Sequence, residues 1–237
     1  MSDAESAISA QTVARGLAAV RARIASAFAA AGKTAEPVAV VAVTKGFGAG
    51  AIEAAIAAGL LDIGENYFQE ARDKFAQVSW PSQPVRRHFI GRLQANKARR
   101  IASLFDMVQT IDDAEGARLL DAGAAEAGKT IDALVQVNAA GDSRAGIAPS
   151  DCLSFVRSLA SLRHVRFRGV MAVGPRDPAD TRVAFARAAR AYDALRNELG
   201  ADTFSLGMSG DLEAAIAAGS TMVRIGSALF GARPAKV

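Results

Sequence analysis

The sequence predicts a (β/α)8 barrel of the TIM type with one extra helix at its N-terminus, and three observations carry that expectation. Eight short apolar, strand-like runs are each followed by a helical pattern. Eight βα units of this size point to a barrel. The segment EAAIAAG occurs at 53–59 and again at 213–219, each time as a helix closing on glycine before a strand with Ile-Gly, at Ile63-Gly64 and Ile225-Gly226. At 237 residues, about half of them apolar, the chain can build one large core, so a single domain over 1–237 is the economical reading.

An amphipathic helix over about 4–31 comes first. The strand over 38–44, VAVVAVT, is a near-continuous apolar run, and shorter apolar runs over 62–65, 87–90 and 107–111 follow it. Strands over 133–137 and 167–173 come next, and those over 203–208 and 222–225 close the series. No linker or low-complexity stretch interrupts the alternation.

Composition narrows the function. One cysteine, Cys152, excludes an internal disulfide, fits a reducing cytosol, and leaves no plausible zinc site or other metal centre. The opening MSDAESAISA has no basic n-region, and nowhere do 18 apolar residues run together, so neither export nor membrane spanning is signalled and the expected location is cytoplasmic. A net charge of +4 attracts phosphorylated small molecules without arguing for nucleic acid. The run Arg86, Arg87, Arg92, Lys97, Arg99 and Arg100, with no intervening acid, lacks interleaved aromatics beyond Phe89 and reads as a device that steers such ligands.

Two anion-cradling turns lie on successive βα units. The first puts Ser209, Gly210 and Asp211 at the start of a helix, where free N–H groups favour an anion, and Ser209 is either an N-cap or an anion ligand. The second follows the strand MVRI, where Gly226 lets backbone come close and Ser227 offers a hydroxyl and an N–H. Lys45 ends the first strand, on the face where barrels carry their sites, and partial desolvation there lowers an amine toward its nucleophilic form. Arg224, inside an apolar strand, needs an acceptor: a protein carboxylate, or the pyridine nitrogen of pyridoxal 5'-phosphate (PLP) whose phosphate sits on the two turns.

These residues stand in motifs that resemble the PLP homeostasis protein family: TKG from Thr44, GENYFQE from Gly64, HFIGRLQANK from His88, RGVMAV from Arg168, and LGMSGDLEAAIAAGSTMVRIGSALFG from Leu206. The resemblance spans 38–233 and implies a barrel like the N-terminal domain of alanine racemase, with PLP held as a Schiff base on Lys45. It also implies phosphate contacts from Ser209, Gly226 and Ser227, Arg224 facing the pyridine nitrogen, and Asn66 near the ring. The function expected is intracellular storage, buffering and delivery of PLP to PLP-dependent apoenzymes, by a monomeric or weakly associating barrel that is not an efficient enzyme, since an arginine facing the pyridine nitrogen weakens the ring as an electron sink. The loop GFGAG after Lys45 departs from the Thr-Lys-Pro-like segment of relatives.

Two rivals remain at this stage. Gly46, Gly48 and Ala51 fit G-x-G-x-x-A, and Glu65 stands where a ribose-binding acid belongs, which reads as an NAD-binding oxidoreductase. A PLP-dependent amino-acid racemase needs a second base, which in alanine racemases is a tyrosine from a second domain and dimer partner. This sequence ends six residues after Gly231, leaving Tyr67, at the barrel mouth, as the substitute, while Tyr192 is expected outside the barrel. His88 is expected to be a satisfied core residue.

Overall fold

A computed structural model describes residues 8–233 and forms a closed barrel of eight parallel strands in chain order. The strands are β1 (Ala39–Val43), β2 (Asp62–Glu65), β3 (Arg86–Phe89), β4 (Met107–Ile111), β5 (Ile131–Val137), β6 (Val165–Ala172), β7 (Thr203–Ser205) and β8 (Met222–Ile225). Helix α1 (Ala10–Ala30) precedes them, and the strands are followed in turn by α2 (Ala49–Ala57), α3 (Phe68–Phe75), α4 (Ala98–Leu104), α5 (Ala114–Glu126), α6 (Cys152–Ser158), α7 (Thr181–Leu199), α8 (Leu212–Ala217) and α9 (Ser227–Phe230). The expected TIM-type architecture is therefore observed, and the bounds of β2, β4 and β8 are those the sequence predicts.

The largest departure is β7, expected over 203–208 but ending at Ser205. Gly207 has φ +97°, outside the extended region, so the ladder breaks there while Leu206 and Arg224 still exchange single backbone bonds with Met222 and Gly207. Helix α1 starts at Ala10 because the Ser9 hydroxyl accepts from the Thr12 amide; residues 4–7 of the expected helix lie outside the described residues. It packs on α2, α8 and α9. Gly16 makes the α9 contact possible, since a Cβ there would lie 2.4 Å from the Ala228 carbonyl oxygen.

Both copies of EAAIAAG end alike. Gly59 and Gly219 take φ +83° and +91°, and the following Leu60 and Ser220 amides bond back to Ala55 and Ala215. The strands they lead into flank β1, with Ile63 and Ile225 both level with Ala42.

Side chains alternate across the barrel wall. Val40, Ala42, Ile63, Val108, Val223 and Ile225 face outward into the helix-covered core, whereas Val41, Met107, Leu134, Met171 and Met222 form a separate interior cluster. Two residues past Val43, Lys45 continues the inward row, while Thr44 faces outward and bonds Glu65.

Four of the six cations of the basic run are engaged by other groups, while Arg92 and Lys97 form no ion pair among the described residues. Arg86 pairs with Asp132, Arg87 with Asp106 and Arg99 with Glu126, and Arg100 lies over the Phe68 ring. The acids come from other βα units, which is why the local sequence looked unbalanced.

Candidate functional site

A cavity of about 630 Å³ opens at the carboxyl ends of the strands. All six residues expected at the site, Lys45, Asn66, Ser209, Arg224, Gly226 and Ser227, line it. They arrive from β1, β2, β8 and the turn after β7, which no stretch of sequence brings together.

Lys45 is half-buried and forms no hydrogen bond or ion pair with the described residues. Burial is the main force holding its amine below the ordinary lysine range, the positive charges of Arg233 and Arg224 add to it, and Glu65 and Glu70 act in the opposite sense. The sequence anticipated the desolvation. It did not anticipate Arg233, which also lines the cavity.

The backbone on both sides of Lys45 is pinned by a network that sequence reasoning missed. Lys74, 5% exposed, donates to the Thr44 carbonyl at 2.8 Å, to Glu65 at 2.6 Å and to Glu70 at 3.0 Å. Glu70 in turn accepts the Gly46 amide at 2.6 Å, and the Thr44 hydroxyl donates to Glu65 at 2.6 Å. A signal existed: Lys74 falls in the buried stripe Phe68, Ala71 and Phe75 of α3, so it required a buried acid.

This network removes the dinucleotide reading. Gly48 does stand between β1 and α2 as the motif requires. Glu65, however, is fully buried on the outer side of the strand against Lys74 and Thr44, where no ribose can reach it. Phe47 of the same loop is buried and packs on Phe230 at 5.5 Å between ring centroids.

Arg224 has no carboxylate partner among the described residues. It donates to the Ser205 carbonyl at 2.9 Å, the Ser205 hydroxyl at 2.7 Å and the Ala172 carbonyl at 2.9 Å. Burial pushes its guanidinium down to about 10, so it stays charged at neutral pH. The Asn66 side-chain oxygen is buried without a partner among the described residues.

Ser209 and Ser227 meet across the two turns, with their hydroxyl oxygens 3.3 Å apart. Ser209 is not an N-cap. That position belongs to Asp211, whose carboxylate accepts the Met208 amide at 2.6 Å. The helices behind these turns have six and four residues, so free amides and hydroxyls, rather than a macrodipole, would attract an anion.

Neither tyrosine enters the cavity. Tyr67 precedes α3 with 58% of its surface exposed, and Tyr192 of α7 is buried outside the barrel, stacked on Phe204 at 4.9 Å. His88 is a satisfied core residue, bonded to Asp62 and Gln109.

A barrel with a desolvated lysine ending β1, a buried arginine on β8 and paired hydroxyls beyond β7 and β8 defines a class. The family model of the alanine racemase N-terminal domain matches residues 16–234. A pyridoxal phosphate homeostasis protein of Pseudomonas aeruginosa is 42% identical over 224 residues, covering 94% of this chain and 96% of its own length. The Escherichia coli K12 protein of the same name is 40% identical over 240 residues, with 93% and 97% covered. The solved structure of PipY from Synechococcus elongatus, with PLP bound, aligns at a TM-score of 0.79 and 32% identity over 92% of this chain and all of that one. The chain belongs to the pyridoxal phosphate homeostasis protein family.

Proposed function

We propose that this protein binds PLP covalently through Lys45 and holds, buffers and delivers it inside the cell, rather than turning over a substrate. The observation that carries the reading is the convergence of six residues from separate βα units on one cavity around an unpaired, desolvated lysine. The residues fit the cofactor chemically. Ser209 and Ser227 offer paired hydroxyls to a phosphate, Arg224 offers N–H donors to a ring nitrogen, and the unpartnered Asn66 oxygen offers an acceptor to a ring hydroxyl. When bound, PLP supplies an aldehyde for amines and an electron-withdrawing ring. Lys45, Asn66, Arg224 and the two turns would bind and orient it.

The carrier reading is also supported by what the cavity offers for proton transfer. Arginines keep their charge, Ser209, Ser227 and Asn66 are neutral, and Lys45, its amine held below the ordinary lysine range by burial, is the ionisable group among them suited to exchange a proton. A permanently charged guanidinium facing the pyridine nitrogen disfavours its protonation and so weakens the ring as an electron sink. Family names support the same role, since the relatives are called homeostasis proteins. A cytoplasmic monomer that hands PLP to apoenzymes is the form of this function we propose; among the described residues no helix is long and apolar enough to cross a membrane.

Borohydride reduction of the PLP-treated protein tests the reading. The label is expected on Lys45 alone, in a yellow protein that bleaches on reduction. A label on another lysine, or none, refutes it.

A further inference from the structure

A chain of buried polar side chains crosses the barrel interior beneath the cavity, and no residue of it was expected to act at the site except Arg224. The Arg224 guanidinium donates to the Ser205 hydroxyl at 2.7 Å, and that hydroxyl donates to the Gln109 side-chain oxygen at 2.7 Å. The Gln109 amide nitrogen lies 2.9 Å from His88 Nδ1, and His88 Nε2 lies 2.8 Å from Asp62 Oδ1. His88, Gln109 and Ser205 are fully buried. The links belong to β8, β7, β4, β3 and β2, so the chain spans the barrel rather than following one strand.

The direction of every bond is fixed by the ends. Arginine only donates, and an ionised aspartate only accepts. The Ser205 hydroxyl oxygen accepts a hydrogen bond from Arg224, and its own hydrogen is donated to the Gln109 oxygen. The Gln109 amide group is then left to donate to His88 Nδ1, and the histidine carries its proton on Nε2, toward Asp62. A second proton on His88 would face the Gln109 amide and force that side chain over. The Ser205 hydroxyl would then accept from both neighbours, and its own hydrogen would lose the acceptor it has in Gln109. Burial also disfavours the charged imidazole.

The consequence falls on Arg224. Three of its five N–H donors are engaged, by the Ser205 hydroxyl and the Ser205 and Ala172 carbonyls, which leaves the Nε hydrogen and one Nη2 hydrogen. A buried guanidinium with only the two backbone acceptors could still turn; the hydroxyl, locked by the chain behind it, removes that freedom.

We propose that Ser205, Gln109 and His88 are positioning residues for cofactor binding, which hold the Arg224 guanidinium in the one orientation that presents an N–H donor to a pyridine nitrogen and keeps that nitrogen unprotonated. The inference rests on the PLP reading above.

The test uses Gln109→Leu, which interrupts the chain at similar volume, and Ser205→Ala, which removes only a hydroxyl and spares the backbone acceptor. PLP and inorganic phosphate are titrated separately into wild type and both variants. The expected result is a rise in the PLP dissociation constant of about tenfold, as for one misaligned charge-assisted hydrogen bond. The absorption band of bound PLP should also shift, while the phosphate dissociation constant stays within about twofold of wild type. Unchanged PLP binding with an unshifted band in both variants overturns the proposal. An equal weakening of phosphate overturns it too, because that is the signature of a loosened barrel. Nitrogen-15 NMR of His88 in the ligand-free protein separates this outcome from failure of the PLP reading. If wild type bound no PLP, the cofactor role would fall for that reason, and a proton held on Nε2, with an Nδ1 resonance that shifts in Gln109→Leu as its donor is lost, would still establish the chain. An even mixture of tautomers in wild type would overturn the chain itself.

Discussion

Replacing Lys74 by methionine tests whether a buried ion pair holds the backbone of the covalent site. The ammonium is the only cation within 4 Å of Glu65 among the described residues, and Glu65 is fully buried. Removing one partner of such a pair costs about 3–5 kcal/mol, because the carboxylate is left charged and desolvated. For a chain of this size that corresponds to a fall in Tm of roughly 6–20 °C. The cost must depend on pH. Burial already raises the Glu65 carboxyl above the ordinary carboxylate range, with Lys74 opposing. Without Lys74 the folded-state value rises further above the unfolded one, so between the two the folded protein binds more protons. Stability then falls as pH rises through that window. The penalty should therefore be small at a pH below the ordinary glutamate range, where the carboxyl is protonated in both states, and larger at a pH above it. Urea denaturation of ligand-free protein at both pH values measures it. Lys74→Met with Glu65→Gln should recover much of the loss at the higher pH. Because Lys74 also holds the Thr44 carbonyl, PLP affinity should drop in the single variant. A penalty below about 1 kcal/mol, equal at both pH values, would show that the pair is effectively solvated and refute the reasoning.

Other expectations separate cofactor contacts from structural roles. Ser209→Ala should change stability by less than about 0.5 kcal/mol yet weaken PLP binding, whereas Asp211→Ala, which removes the side chain that accepts the Met208 amide at the start of α8, should cost about 1 kcal/mol; thermal melts and PLP titrations of both decide it. Gly226→Ala should be neutral to folding, since its φ is −118° and a Cβ meets nothing closer than 3.4 Å, but should weaken PLP by more than about tenfold because the methyl is added to a residue that lines the cavity. PLP-loaded protein incubated with L- or D-alanine should leave enantiomer ratios unchanged, and turnover on the order of 1 per second or faster would overturn the carrier reading.

The barrel was legible because parallel strands covered by helices leave a strong one-dimensional trace: an apolar run, a helix, a glycine stop, repeated. Five of the six expected residues that line the cavity were legible for a related reason, and Asn66 only through the family resemblance. They sit at strand ends or in turns, where a lysine, an arginine or a serine among apolar residues stands out. What was lost lay in side chains whose role depends on partners from other units. Lys74 looked like one more helix cation, yet it joins Thr44, Glu65 and Glu70. Arg86 and Arg87 looked like part of a patch, yet acids on β5 and before β4 neutralise them. Glu65 matched a ribose-binding position by spacing, and only the alternation along β2 reveals that it points away from the mouth.

The two ends of the cavity are built differently, and the difference bears on what a carrier must do. At the end we assign to the ring, one buried network pins the backbone on either side of Lys45, and a second reaches Arg224 from Asp62 through three fully buried side chains. The end we assign to the phosphate is open, with Ser227 exposed, Ser209 half-buried and Met208 40% exposed beside them. Groups locked by buried polar networks reorganise slowly and at high cost, whereas hydroxyls and amides in surface turns exchange a ligand for water with little penalty. Selectivity would then reside in Arg224 and in Lys45, whose flanking backbone is held, and release would begin at the phosphate.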